Sequence, residues 1–386
     1  MPTPKRVEFR YLDGLRGAAA LLVAAYHAFL FTGKMGDAEA AMPFWKEIVG
    51  LGYVGVPIFI VLSGYVLMLP VVRTPELTFR DGVGGFVKRR ARRILPPYFA
   101  ATAFALLLIA LIPVMQQPSG TAWDSKIPVT WESIVTHLLL VQNLSPHWMF
   151  TINGPLWSVA LEWQIYFIMA LILLPLWRRV SGVKIVTVLL LATMIPVALQ
   201  TGTFAHPWLI ALFAAGMLAA QLTMGARDQR WAGAAAVALA VGIIPAAALP
   251  RMAGIPADPF VEIVTGLAVA AALIWTGRQT ISSGRPPRIV RPLQSRPMMF
   301  LGLISYSVYL FHSPILGLLN LLLLPLGIPI IAEYLLLTFI GIPLALAIAY
   351  GMFWLVERHF LNSRQKHAVN EMSDAETHAP VADRAR

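Results

Sequence analysis

The sequence predicts an all-α, polytopic membrane protein with about ten transmembrane helices, and three observations predict it. Apolar residues make up 58% of the 386 positions and charged residues only 13%, against about 25% charged in soluble domains. Apolar stretches long enough to cross a bilayer recur along the whole chain. The basic residues segregate as a threaded chain requires. Of 30 Lys and Arg residues, Arg16 falls inside a span, Lys34, Lys46, Lys126 and Arg251 fall on one side, and the other 25 fall on the opposite side. By the positive-inside rule that basic side is cytoplasmic, with both termini on it.

The spans are expected at 13–33, 50–71, 94–115, 155–176, 183–200, 206–224, 231–250, 260–276, 298–324 and 332–356. Residues 131–145 are too short and polar to cross and are assigned to the interface. Pro57, Pro196, Pro245, Pro314 and Pro343 lie within spans, where proline is tolerated and often marks a kink. Residues 1–357 form one membrane domain, and 358–386 read as a polar, disordered cytoplasmic tail. No cleavable signal and no internal repeat is evident. The net charge of +11 is topological, so nucleic acid is not expected as a partner. The absence of cysteine excludes disulfides, thiolate catalysis and Cys-ligated metals.

The first span carries Asp13 at its mouth and Arg16 and His27 within it. Ionisable groups are rare inside spans and read as functional by default. Eleven residues of helix put Arg16 and His27 on one face, roughly 16 Å apart along the axis. Histidine titrates near neutrality and can take a proton from a hydroxyl; arginine keeps its charge and binds anions. A buried Asp–Arg pair and a packing histidine remain the plainer alternative.

The second span reads Gly52-Tyr-Val-Gly55-Val-Pro57-Ile58-Phe59-Ile-Val-Leu-Ser63-Gly64, whose glycines allow close helix approach. No base is visible beside Ser63. The entry to the third span holds Lys88, Arg89, Arg90, Arg92 and Arg93, with Arg89, Arg92 and Arg93 on one face if helical. Such a cluster suits a polyphosphate, or anchors the helix at anionic lipid. In the fourth span Ser158, Glu162 and Tyr166 recur at four-residue steps beside Trp157, and Glu162 needs a partner such as Arg16 or His27. In the ninth, Ser305, Tyr309 and His312 share a stripe below Pro314. His137, His147 and His206 lack ligand-like spacing, so no metal is expected.

In this order, the Arg16-x10-His27 helix, the Gly-Val…Phe-x-Val-Leu-Ser-Gly segment, Arg89, Arg90 and Arg93, Trp157-Ser158…Glu162 and Tyr306-x-x-Tyr309-Leu-x-His312 resemble the acyltransferase-3 family of bacterial membrane O-acyltransferases. The resemblance covers residues 9–357. It implies an acyl-CoA co-substrate, acetyl-CoA first among donors, and a hydroxyl acceptor on a sugar, polysaccharide or glycosylated small molecule. It implies a multi-pass protein of the bacterial inner membrane. Residue by residue, it implies His27, Arg16 and Glu162 as catalytic and Arg89, Arg90, Arg93 and Arg16 as donor-binding. Asp13, Trp157, Ser158, Tyr309 and His312 are then expected to be substrate-binding. Two departures stand out: Pro57-Ile58-Phe59 where many relatives have two phenylalanines, and Trp163 where a second acid is common. A stand-alone form without a fused hydrolase-like domain is expected. A transporter that binds an anion or relays protons through Arg16 and His27 is the alternative; it predicts repeats between halves.

Overall fold

The computed structural model of the protein describes residues 8–227 and 229–361. Among them the chain is helical throughout, with short 3-10 turns and no strand. The long helices are α1 (Tyr11–Phe31), α2 (Gly55–Val71), α3 (Gly82–Leu111), α4 (Leu156–Trp177), α5 (Gly182–Ala198), α6 (Trp208–Met224), α7 (Trp231–Met252), α8 (Asp258–Ser283), α9 (Arg296–Leu323) and α10 (Ile330–Leu355). Nine stretches are long and apolar enough to cross a membrane, α2 being continued back to Pro43 and α6 to Thr203 by the turns before them; α5, of 17 residues and without such an extension, is the short one. At 1.5 Å per residue it spans roughly 26 Å, near the lower limit for a crossing helix.

Close backbone contact holds the bundle together. A β-carbon at Gly64 of α2 would lie 2.1 Å from the Phe213 carbonyl oxygen of α6, and one at Gly216 of α6 would lie 2.1 Å from the Val61 oxygen of α2. Likewise, a β-carbon at Gly302 of α9 would lie 2.1 Å from the Asp13 oxygen of α1. Only glycine permits these two crossings, as at other intramembrane interfaces. Residues Val61, Leu62, Tyr65, Met68, Phe213 and Met217 are completely buried between them. The outward faces carry Leu107, Leu171, Val188, Leu191, Val241, Ile244 and Phe339, all exposed, as a bilayer requires. Helix α7 is the extreme case: only 6% of its apolar window is buried.

Prolines shape the helices locally. The π-helical turns Met169–Leu173 in α4 and Leu337–Gly341 in α10 each precede a proline, Pro175 and Pro343. A proline ring removes one backbone donor and crowds the carbonyl four residues back, and a widened turn absorbs that conflict. In α9 the proline effect is met from outside. Pro314 leaves the Leu310 carbonyl without its helical donor, and the Asn153 side chain donates to it at 2.9 Å.

The segment between α3 and α4 folds over the end of the bundle remote from the arginine-rich loops. It contains the short helix Trp131–Leu138, too short to span, with Trp131 and Leu138 exposed. Its 3-10 turn Ala122–Lys126 drives the fully buried Trp123 against Gly317 and Phe31. At the other end the turn Glu357–Phe360 and Leu361 pack on the bundle, four residues past the boundary drawn from the sequence. The rest of the expected tail lies outside the described residues.

Candidate functional site

A thread of polar side chains runs through the bundle from the arginine-rich end to Lys126. It begins at Asp13 and Arg16, paired at 3.3 Å one helical turn apart and both partly exposed. The next layer comes from α3. Its inward stripe is Phe86, Arg90, Arg93, Ile94 and Pro97, so Arg93 turns in with Arg90. Arg89 and Arg92, which share a helical face with Arg93, point outwards, and Arg89 pairs with the exposed Asp81. Arg90 interacts electrostatically with Tyr166, Arg93, Glu162 and Arg16.

Arg93 finds a partner the sequence did not flag. Its Nη1 lies 2.6 Å from Oε1 of Glu357, a completely buried carboxylate. The pair is close but not aligned as a hydrogen bond. The guanidinium also lies over the Tyr306 ring at 5.6 Å, and the Tyr306 hydroxyl donates to the Ile94 carbonyl. Glu357 Oε2 accepts from the Ser307 amide at 3.1 Å and from its hydroxyl at 2.5 Å. Glu357 follows the last apolar run and belongs to no periodic stripe, which is why pattern reading missed it.

Glu162 is not paired with Arg16 or His27, contrary to the expectation. Its Oε1 accepts hydrogen bonds from Ser63 of α2 and from Tyr166 one turn on, both at 2.6 Å. Two hydroxyl donors satisfy much of a carboxylate without an ion pair, one reaching across from α2 and one from the next turn of α4 itself. Ser63, apparently isolated in sequence, is the residue that holds this acid. One turn earlier on α4, Ser158 shares a 2.6 Å hydrogen bond with Tyr309 of α9. Phe59 of α2 packs on the Tyr309 ring. Trp157 leaves the thread: it stacks on His206 at 4.4 Å, and Glu262 is bonded to both His206 and Trp208.

The thread then reaches two histidines. The rings of His27 and His312 meet edge to face, centroids 4.8 Å apart. Each Nδ1 lies against the carbonyl four residues earlier, Val23 at 2.9 Å and Val308 at 3.0 Å. A carbonyl only accepts, so each Nδ1 carries the hydrogen and each neutral ring keeps a lone pair on Nε2. His312 is fully buried and its Nε2 has no hydrogen-bond partner. His27 keeps accessible surface. A proton-accepting nitrogen, reachable and backed by a second ring, is what a general base needs.

Lys126 closes the far end. Its ammonium bonds to Ser125 at 2.7 Å, lies over the Phe150 ring at 5.4 Å, and is electrostatically coupled to His27. Burial brings that ammonium down to about 7. Two open hollows lie at the surface rather than at the histidines. One, of about 530 Å³, is lined by Trp275, Gln279, Arg285, Arg288 and Arg291 among others. The other, of about 370 Å³, lies beside Lys126 and includes His147, Trp148 and Phe150.

The sequence is similar to known acyltransferases over nearly its whole length. A family model, Acyl_transf_3, described as an acyltransferase domain, matches residues 9–354. The acyltransferase MdmB of Streptomyces mycarofaciens is 30% identical over 46% of this chain and 41% of its own. The "Putative membrane-bound transacylase BcsY" of Komagataeibacter xylinus is 27% identical over 81% of this chain and 74% of its own. The peptidoglycan O-acetyltransferase OatA of Listeria monocytogenes is 24% identical over 80% of this chain and 49% of its own. The chain thus spans about half the length of OatA and less of MdmB. No solved structure matches. The chain belongs to the acyltransferase-3 family: residues 9–354 form an acyltransferase domain, of the class that transfers groups other than aminoacyl groups.

Proposed function

We propose that the protein is a membrane O-acyltransferase that moves an acyl group, acetyl first among candidates, from acyl-CoA to a hydroxyl of a sugar, polysaccharide or glycosylated small molecule. The observation that carries the reading is His27. Its Nδ1–H is held by the Val23 carbonyl, so Nε2 is ready to take a proton from an acceptor hydroxyl as that oxygen attacks the thioester. The names of relatives support the chemistry, OatA being a peptidoglycan O-acetyltransferase.

Arg90, Arg93 and Arg16 are the donor-binding groups in this reading, with exposed Arg89 meeting the phosphates first. Guanidinium forks bind phosphate oxygens bidentately, and the basic loops would face the cytoplasm, where acyl-CoA is found, in a bacterial inner membrane. Both termini are then cytoplasmic. Glu162 fixes Ser63 and Tyr166 beside Arg90, while Asp13, Ser158, Tyr309 and His312 line the route of the acyl arm. Trp157, stacked on His206, shapes the site through packing. The acceptor approaches from the Lys126 end, where aromatic residues border the hollow.

The test is turnover of acetyl-CoA labelled on the acetyl group, by purified protein in nanodiscs with cell-envelope glycans supplied. Wild type releases coenzyme A thiol and leaves alkali-labile label on glycan, and His27→Gln does neither. Equal turnover by both proteins would remove His27 from the chemistry. Anion uptake by intact vesicles without thioester cleavage would favour transport instead.

A further inference from the structure

We propose that Lys126 is a catalytic residue of this transfer site, its ammonium donating a hydrogen bond to the thioester carbonyl oxygen as that oxygen becomes an oxyanion. The inference rests on the acyl-transfer reading above and goes beyond it, since nothing in the motifs points to the α3–α4 segment.

Three observations carry it. Lys126 is 7% exposed, and a buried ammonium is costly unless paired. Among the described residues no carboxylate pairs with it. The nearest in sequence, Asp124, turns its oxygens to the amides of Ser119 and Gly120 and to the Ser119 hydroxyl. The amine is also held in place: a β-carbon on Gly154 would lie 2.9 Å from Nζ. The adjacent Asn153 anchors the same turn to the Leu310 carbonyl of α9, within one turn of His312. Finally, Lys126 is a buried cation at this end of the thread, electrostatically coupled to His27. Arg16 lies about three helical turns below His27.

The reaction then balances as follows. The acceptor oxygen forms the new C–O bond while its proton passes to Nε2 of His27, and negative charge collects on the carbonyl oxygen. Lys126 donates to that oxygen and keeps its proton. On collapse the C–S bond breaks, and the sulfur takes the proton from His27 and leaves as coenzyme A thiol. A preorganised donor aimed at charge that exists only in the transition state is among the strongest contributions an active site makes. The groups facing Lys126 are His27 of α1, backed by His312 of α9, with Asp124 on its own turn and His147 bordering the neighbouring hollow.

The test compares wild type, Lys126→Met and Lys126→Arg in nanodiscs, measuring kcat and KM for acetyl-CoA from about pH 5.5 to about 9, a range that brackets the buried lysine's value of about 7 and stays below the ~10.4 of a free lysine. Methionine fills the volume without charge; size-exclusion profile and Tm report folding. Lys126→Met is expected to lower kcat by about 100-fold or more with KM little changed. The charged ammonium is a much stronger donor to an oxyanion than the neutral amine, so wild-type kcat falls as pH rises through about 7. Lys126→Arg stays charged, keeps kcat within about 10-fold, and loses that alkaline fall. A folded Lys126→Met protein with kcat within about threefold of wild type would overturn the assignment. So would a Lys126→Arg profile with the wild-type alkaline fall. A wild type that turns over no acetyl-CoA would instead remove the acyl-transfer reading, and the assignment with it.

Discussion

His27 and His312 meet edge to face at 4.8 Å, each with Nδ1 tied to its own helix and Nε2 left open. The two rings come from helices 285 residues apart in the chain, brought together where Gly17 and Gly302 let α1 and α9 touch. They are not equivalent. His27 keeps accessible surface and His312 has none. We therefore expect His27→Gln to lower kcat by about 1,000-fold or more, the range of a lost general base. His312→Gln, which removes a backing ring, should lower it by about 10- to 100-fold. Steady-state kcat with saturating acetyl-CoA distinguishes them, and equal losses would make the pair a single functional unit.

Asn153 repairs the helical hydrogen bond that Pro314 removes from α9. Asn153→Ala leaves the Leu310 carbonyl buried and unpaired, which costs about 1–3 kcal/mol. The double variant Asn153→Ala with Pro314→Ala restores a backbone donor to Leu310 and should recover part of that loss. Thermal melts of the four proteins of this cycle give the coupling.

Arg93 and Glu357 form a pair in which one partner is wholly buried. Glu357→Ala strands the guanidinium and should destabilise by about 3–5 kcal/mol. Replacing both by Arg93→Met and Glu357→Leu should recover most of the stability but not the donor affinity, if Arg93 also meets the donor. The measurement is Tm alongside KM for acetyl-CoA. A double variant with unchanged KM would confine Arg93 to structure.

His137, at the end of the short outer helix, donates from Nδ1 to the Ser133 carbonyl at 2.7 Å and is fully buried. Burial pushes its imidazole down to about 4, whereas the unfolded group titrates near 6.5. Between those values the unfolded chain binds more protons, so stability rises with pH across the window. The contribution is complete above about pH 6.5 and is lost progressively as pH falls towards 4, up to roughly 3 kcal/mol. His137→Gln should therefore show a smaller drop in Tm between pH 7 and 5 than wild type (values bracketing the unfolded imidazole).

The spans were legible because a bilayer demands long apolar runs, and the glycines because helices cannot otherwise approach. Arg16 and His27 announced themselves as charges in an apolar helix. What the sequence hid was pairing. Glu162 looked in need of a cation, yet hydroxyls from Ser63 and Tyr166 serve it, and no spacing rule relates α2 to α4. Arg93 turned inward beside Arg90 because the buried Glu357 waits there. Trp157, expected among the substrate-binding residues, stacks on His206, a neighbour that no spacing rule announces. Lys126 read as one of four stray basic residues in the outer loops; only the fold of the 3-10 turn around Trp123 buries it.

In the proposed reaction the acyl group enters at the arginine-rich end and is transferred at His27 near the opposite end. The most direct measurement uses proteoliposomes sorted for one orientation, with acetyl-labelled coenzyme A added only on the arginine-rich side and envelope glycan enclosed on the other. Wild type is expected to leave ester-linked label on the enclosed glycan and His27→Gln to leave none. Label that appears only when donor is supplied on the Lys126 side, or equally with His27→Gln, would contradict that route.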